Sequence, residues 1–315
     1  MPEWIQHAIR TLPSGQPGDL LLLAVVLIAI RVLIQCATKW VGKMEPASAA
    51  RLKLAWLVAA MPGIAFLALV PEMIHTFDPR AMRSSACMAH CYGLICVLTA
   101  VIGTAAWRTW RSSRNATQLL RIAQSPSPRL TKFADELGIA AVELPTDSPI
   151  CAVAGFLKPR VLLSRGALAR LSDQELRAAL AHERAHLRRR ETFREGVAAF
   201  LNRCTILPVP SALKLYRDTR EFAADCEAAR EVPPLTLAGV LLAFASFELG
   251  QPAVQLAEKT NLRERVTLLL NGAESNSMEA GTRLGAFSLI AVTVMVSLIP
   301  ASVHTVQRIS CMRHR

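Results

Sequence analysis

Apolar positions are spread along this chain in two ways. In four stretches, 20–37, 54–74, 86–107 and 284–303, they run almost unbroken for roughly the 20 residues that cross a hydrocarbon layer as a helix. Each is predicted to be a transmembrane helix. Arg31 interrupts the first near one end, where a long side chain can reach the head groups. Pro62-Gly63 breaks the second, which lipid tolerates when neighbouring helices cover the freed backbone groups. Trp107 and Trp110 close the third at an interface. Between the third and fourth stretches the pattern changes to the periods of a globular domain. Positions 115–138 predict a helix ending at Gly138. "SPICAVAGFLKPRVLLS" predicts strand, turn, strand, with 151–154 and 161–163 flanking Gly155 and Lys158-Pro159. Ser172 followed by Glu175 is a capping box, and Leu176, Ala179, Leu180 and Ala181 continue as a helical apolar face. The stretch 234–249 is too short to span comfortably and reads as a buried helix of the domain. The stretch 201–216 is apolar and broken by prolines, as a core loop or a segment against the membrane surface.

Charge gives these elements an orientation. The short segment 38–53 holds Lys39, Lys43, Arg51 and Lys53, and Arg108, Arg111 and Arg114 follow the third apolar run. Both should face the cytoplasm, which puts both termini on the far side of the membrane. The predicted organisation is a membrane region over 1–110 with three transmembrane helices, a cytoplasmic domain over 111–283, and a fourth helix with a short tail over 284–315. The formal net charge of +12 would suit nucleic acid. However, the segment between the third and fourth runs has 25 of the 36 basic residues against 19 acids, a net charge of only +6. Direct nucleic-acid binding is not needed to explain it, and a lipid bilayer accounts for the apolar excess as well. Eight cysteines occur without a CxxC pair, which argues against a disulfide framework or a cysteine zinc site.

The chemistry is concentrated in "LRAALAHERAHLRRRE". Residues four apart on a helix lie on one face, so His182 and His186 project together, one turn apart. Two neutral imidazoles so placed can bind one Zn2+ ion. Glu183, next to the first, can act as general base on a water that zinc has activated. A catalytic site needs a third protein ligand. Glu191 and Glu195 are near in sequence but, on a continuing helix, point about 140° or more away from His186. "YRDTREFAADCEAARE" offers Glu221 and Asp225, four apart on one face, with Asp218 as a further candidate. One carboxylate can complete a two-His-one-Glu site and another can fix a ligand imidazole. Tyr216, Arg217 and Arg220 are candidates to stabilise an oxyanion.

"SPICAVAGFLKPRVLLSRGALARLSDQELRAALAHERAHLRRRE" followed by "REFAADCEAA" resembles the BlaR/MecR-type membrane metallopeptidases, antirepressor zinc proteases of bacterial antibiotic-sensing systems and their wider kin. By motif the resemblance covers 144–229. It implies a mainly α membrane protein in which four transmembrane helices carry an inserted α+β gluzincin-like zinc metallopeptidase domain. It implies His182, His186 and Glu221 as zinc ligands, Glu183 as general base and Asp225 behind the ligands. It further implies that Cys151, Ala152, Val153, Ala154 and Gly155 form an edge strand lining the cleft. Two departures stand out. The run after HERAH usually ends in aspartate in this family and here ends in Glu191, a change expected to lie outside the metal face. Sensor members carry a penicillin-binding domain after the last span, which this sequence lacks, so a separate sensor protein is a possible partner. The expected function is regulatory endoproteolysis of a cytoplasmic protein, such as a DNA-binding repressor. The alternatives are a membrane quality-control protease resembling HtpX, and a non-catalytic signalling scaffold stabilised by zinc. An intact Glu183 argues against the scaffold.

Overall fold

A computed structural model describes residues 16–45, 48–75, 85–205, 208–248 and 255–271. The fourth apolar run, 284–303, lies outside these. The chain is mostly helical with one small sheet. Three long helices come first: α1 (Gln16–Gly42), α2 (Ala49–His75) and α3 (Ser85–Ile122). They contain the first three apolar runs. Among the described residues no helix is long and apolar enough to cross a membrane.

The helix expected over 115–138 is two helices. Helix α3 stops at Ile122, an extended link pairs Gln124 with Glu143, and α4 (Pro128–Leu137) starts afresh. Pro126 and Pro128 are the cause: the residue before each proline is pushed out of the helical region, and Pro128 suits a first helical turn. Gly138 then ends α4 in the left-handed conformation at φ 64°, as the sequence suggests.

Three strands follow, β1 (Ala141–Leu144), β2 (Cys151–Ala154) and β3 (Arg160–Ser164), in the order β1-β3-β2. Strand β1, which the sequence reading missed, pairs parallel with β3, and β2 pairs antiparallel with β3. β3 is central and its Val161, Leu162 and Leu163 are buried on both faces. β2 is left at an edge. The β2–β3 turn depends on Gly155 at φ 104°, where a Cβ would come within 2.7 Å of the Lys158 carbonyl oxygen.

The remaining helices are α5 (Arg165–Arg170), α6 (Asp173–Arg188), α7 (Glu191–Arg203), α8 (Pro210–Ala228), α9 (Pro234–Glu248) and α10 (Gln255–Asn271). They divide between two cores. In one, Leu176 and Leu180 of α6 pack with β3, α4 and the α9 residues Leu237 and Val240. The stretch expected as a buried helix is thus α9, packed on α6. In the other core, Ile34 and Val41 of α1 and Val58 and Met61 of α2 pack with Ala198 of α7 and Tyr216 of α8. Gly63 makes that packing possible, since a Cβ there would lie 2.2 Å from the Leu201 carbonyl oxygen. Pro62 removes one donor from α2, and in the preceding turn Asn202 donates from Nδ2 to the Ala59 carbonyl at 3.2 Å. The Pro62-Gly63 break therefore serves close contact with α7. Arg31 is likewise tied to protein, donating to the Pro208 carbonyl at 2.9 Å.

Candidate metal centre

Helix α6 is held at its start and buried along one side. The Ser172 side chain accepts from the Glu175 backbone and the Glu175 carboxylate accepts from Ser172 in return. Leu176, Ala179 and Leu180 fill the core, and this fixes the rotation of the helix. His182 and His186 then emerge side by side from its buried face, rings edge-on with centroids 4.7 Å apart. Helix α8 lies across α6 and brings Glu221 over both.

The three ligand-type atoms make a small triangle. His182 Nε2 is 3.1 Å from His186 Nε2. Glu221 Oε2 is 3.5 Å from the first and 3.7 Å from the second. Four ligands around zinc at about 2.0–2.1 Å stand about 3.3–3.4 Å apart. The observed edges bracket that spacing, so the residues fit the ion that the sequence implies. Among the described residues this is the one group of three such side chains close enough to share a metal.

Residues 75–231 match the family model of the BlaR1 peptidase M56. The match takes in the whole of α6, α7 and α8, and it supports a metallopeptidase of the BlaR1 type. Comparison with curated proteins and with solved structures gives no match.

In this site each imidazole is backed by a buried acid. His182 Nδ1 lies 3.0 Å from Asp225 Oδ1, slightly off the line of a well-formed hydrogen bond. Asp225 is fully buried and gripped from behind by Arg265 of α10, which donates from Nε at 2.6 Å and from Nη2 at 2.8 Å. Burial alone would raise the Asp225 carboxyl pKa, but Arg265 and His182 outweigh it and hold it low. His186 Nδ1 bonds Glu191 Oε2. With Nδ1 carrying the proton in both rings, both Nε2 lone pairs point at the shared position. Before a metal binds, burial opposes a charge on His186, yet its bonds to Glu191 and Glu221 raise its pKa to about 10. Glu221 is held well below the usual carboxylate range. Burial acts against this, and the two imidazoles and Arg265 overcome it.

The place of Glu191 corrects the expectation that it lies outside the metal face. That expectation assumed a continuous helix, and the helix does not continue. Arg190 adopts the left-handed conformation at φ 51°, α7 begins at Glu191, and the chain turns its first carboxylate back onto His186. Arg189 fixes this corner by donating to Glu191 Oε1 at 3.0 Å, to Glu227 at 2.8 Å and to the Ala223 carbonyl at 2.8 Å. Arg265 was also not foreseen, because nothing near it in sequence resembles a site.

Other candidates fall away from the metal position. Asp218 accepts from Lys214 at 2.6 Å and from Asn261 at 3.0 Å. Tyr216 is buried in the core shared with α1 and α2. Arg217 and Arg220 both hold Glu195, and Arg220 also donates to Glu221 Oε1 at 3.2 Å. Arg220 thus orients the third ligand candidate. Glu183 is buried beside the thiol of Cys151, whose pKa is raised by burial and by that neighbouring carboxylate. Strand β2, from Cys151 to Ala154, packs against α6 with its outer edge facing no described strand, and Gly155 begins the turn.

Proposed function

We propose that this chain is a zinc-dependent endopeptidase of the bacterial inner membrane that hydrolyses a cytoplasmic protein, with a DNA-binding repressor as the favoured substrate class. The observation that carries this reading is the convergence of His182, His186 and Glu221 on one point, one residue from a buried Glu183 and beside a free strand edge. A zinc ion held there would lower the pKa of water to about 7 and polarise a peptide carbonyl. The chain's own residues do the rest. The open edge of β2 (Cys151, Ala152, Val153, Ala154), with Gly155, offers backbone groups to an extended substrate. Glu183 takes the proton of the attacking water as the new carbon–oxygen bond forms. It returns that proton to the leaving amine as the carbon–nitrogen bond breaks. Asp225 and Glu191 keep the two imidazoles in one tautomer and one orientation throughout.

Support for a bilayer setting comes from the outer surface. Val25, Ile28 and Val32 of α1 and Val97 of α3 are about half exposed, large apolar side chains unsuited to water. Trp40, Trp107 and Trp110 are exposed near the basic ends of these helices, and Arg111 and Arg114 lie over the Trp107 and Trp110 rings. A reporter fused after residue 303 is expected to behave as periplasmic and one near Glu195 as cytoplasmic; the reverse would overturn the orientation.

The enzymatic reading is tested on detergent-extracted, folded protein. It should carry close to one zinc per chain by elemental analysis. Proteolysis should vanish on chelation and return when zinc is restored. Folded protein that binds no transition metal even after supplementation would sink the proposal.

A further inference from the structure

Beyond the metal centre, the feature that asks most for an occupant is a cavity of about 180 Å³ at the far end of β2. That is roughly six water volumes, room for one side chain. Its lining includes Val153, Gly155 and Phe156 from the end of β2, Thr109 of α3, and Arg203 and Arg217. The Phe156 side is firmly built. The Phe156 ring packs on Gly196, where a Cβ would come within 2.5 Å of it, and lies 5.0 Å from the Phe193 ring.

Its position relative to Glu183 is set by the strand. Cys151 and Val153 pack toward the core that contains α6, while Ala154 faces the other side of the sheet, in a small cluster with Leu144 and Leu162. Residues two apart on one strand face stand about 7 Å apart. Cys151 is beside Glu183 and Val153 lines the cavity. A peptide paired along the edge of β2, with its scissile bond at Glu183, therefore sets a side chain about two residues away into this cavity.

The cavity's charge is unbalanced. Its lining acid, Glu195, is already held by Arg217 at 2.7 Å and by Arg220. Arg203 has no carboxylate within ion-pair distance among the described residues. Its described partner is the Thr109 hydroxyl at 3.3 Å, which leaves most of its five N–H donors uncommitted. Arg217 and Arg108 add to the positive field around it, which Glu195 offsets in part. A planar guanidinium set in a partly enclosed site suits bidentate recognition of a carboxylate.

We propose that this cavity is a specificity subsite that receives an aspartate or glutamate side chain of the substrate about two residues from the cleaved bond, with Arg203 as the recognising cation. The inference rests on the peptidase reading and names the class of sequence that the peptidase selects.

The test uses full-length zinc-loaded protein in detergent, a proteome-derived peptide library, and mass-spectrometric identification of cut sites, with Glu183→Gln as the blank. The native protein should show acidic residues enriched at one position within about three residues of the cut. On matched peptides differing only there, kcat/KM should favour the acid over its amide by about tenfold or more, and the preference should weaken as salt rises. Arg203→Gln should bring the ratio close to one, and Arg203→Glu should turn it toward basic residues. Zinc content and thermal unfolding report whether each variant is folded. If Arg203→Gln does not fold, Arg203→Lys carries the test and should keep only part of the preference. An acid preference undiminished in folded Arg203→Gln, or full preference retained by Arg203→Lys, would overturn the subsite. So would a native protein indifferent to acids near the cut. No cleavage by the native protein of any peptide or protein would instead defeat the peptidase reading itself.

Discussion

Glu183→Gln is expected to abolish measurable cleavage while leaving the protein folded and loaded with metal. Glutamine has nearly the shape of glutamate and sits in the same buried position beside Cys151. It is not one of the three groups whose ligand atoms converge, so zinc content should match that of the native chain. What it loses is basicity. A positioned general base contributes about 10²–10⁴-fold, and here the same group must both accept and return the proton. A fall in kcat of about that size, with KM little changed, is the expected signature on any peptide that the native protein cuts. Native-like turnover by the variant would show that another group carries the proton.

How far this site can be read before folding depends on how far each contact reaches along the chain. His182 and His186 are legible because helical periodicity alone puts them together, and the Ser172–Glu175 box shows that the helix exists. The β2–β3 hairpin also follows from local cues, because Gly155 and Pro159 mark a turn between two apolar runs. Glu191 is only five residues from His186, yet its role could not be seen. It depends on a helix break at Arg190, a non-glycine residue at positive φ, for which the run of arginines gives no signal. Arg265 is illegible for the opposite reason: it is 40 residues from Asp225, on a helix whose sequence reads as an ordinary charged surface. The apolar face of α2 is illegible in a third way. Buried residues look alike whether lipid or protein covers them, so Val58, Met61 and Gly63 gave no hint that α7 and α8 pack against them.

Replacing Glu221 should strip the metal and with it all activity. Losing a group that merely supports a ligand costs about 10–100-fold in metal affinity. Removal of a ligand itself should exceed that range, so Glu221→Ala is expected to purify with little zinc. Alanine carries a confounding effect, however. It would remove the carboxylate that Arg220 and Arg265, both largely buried, share, leaving each with one remaining acid, Glu195 and Asp225, and thinning a buried ion network lowers stability. Unfolding could then mimic loss of a ligand. Glu221→Gln separates the two effects, because its amide oxygen can still accept from Arg220 while binding zinc far less well than a carboxylate. Zinc titration of the folded Gln variant should therefore show affinity reduced by more than about 100-fold, with a melting profile close to that of native protein freed of metal. Asp225→Asn should fall within the supporting range, and Asp218→Ala should bind zinc normally, since Asp218 is occupied by Lys214 and Asn261. Native zinc affinity in folded Glu221→Gln, together with metal loss in Asp218→Ala, would move the third ligand one turn earlier on α8 and require that helix to rotate against α6.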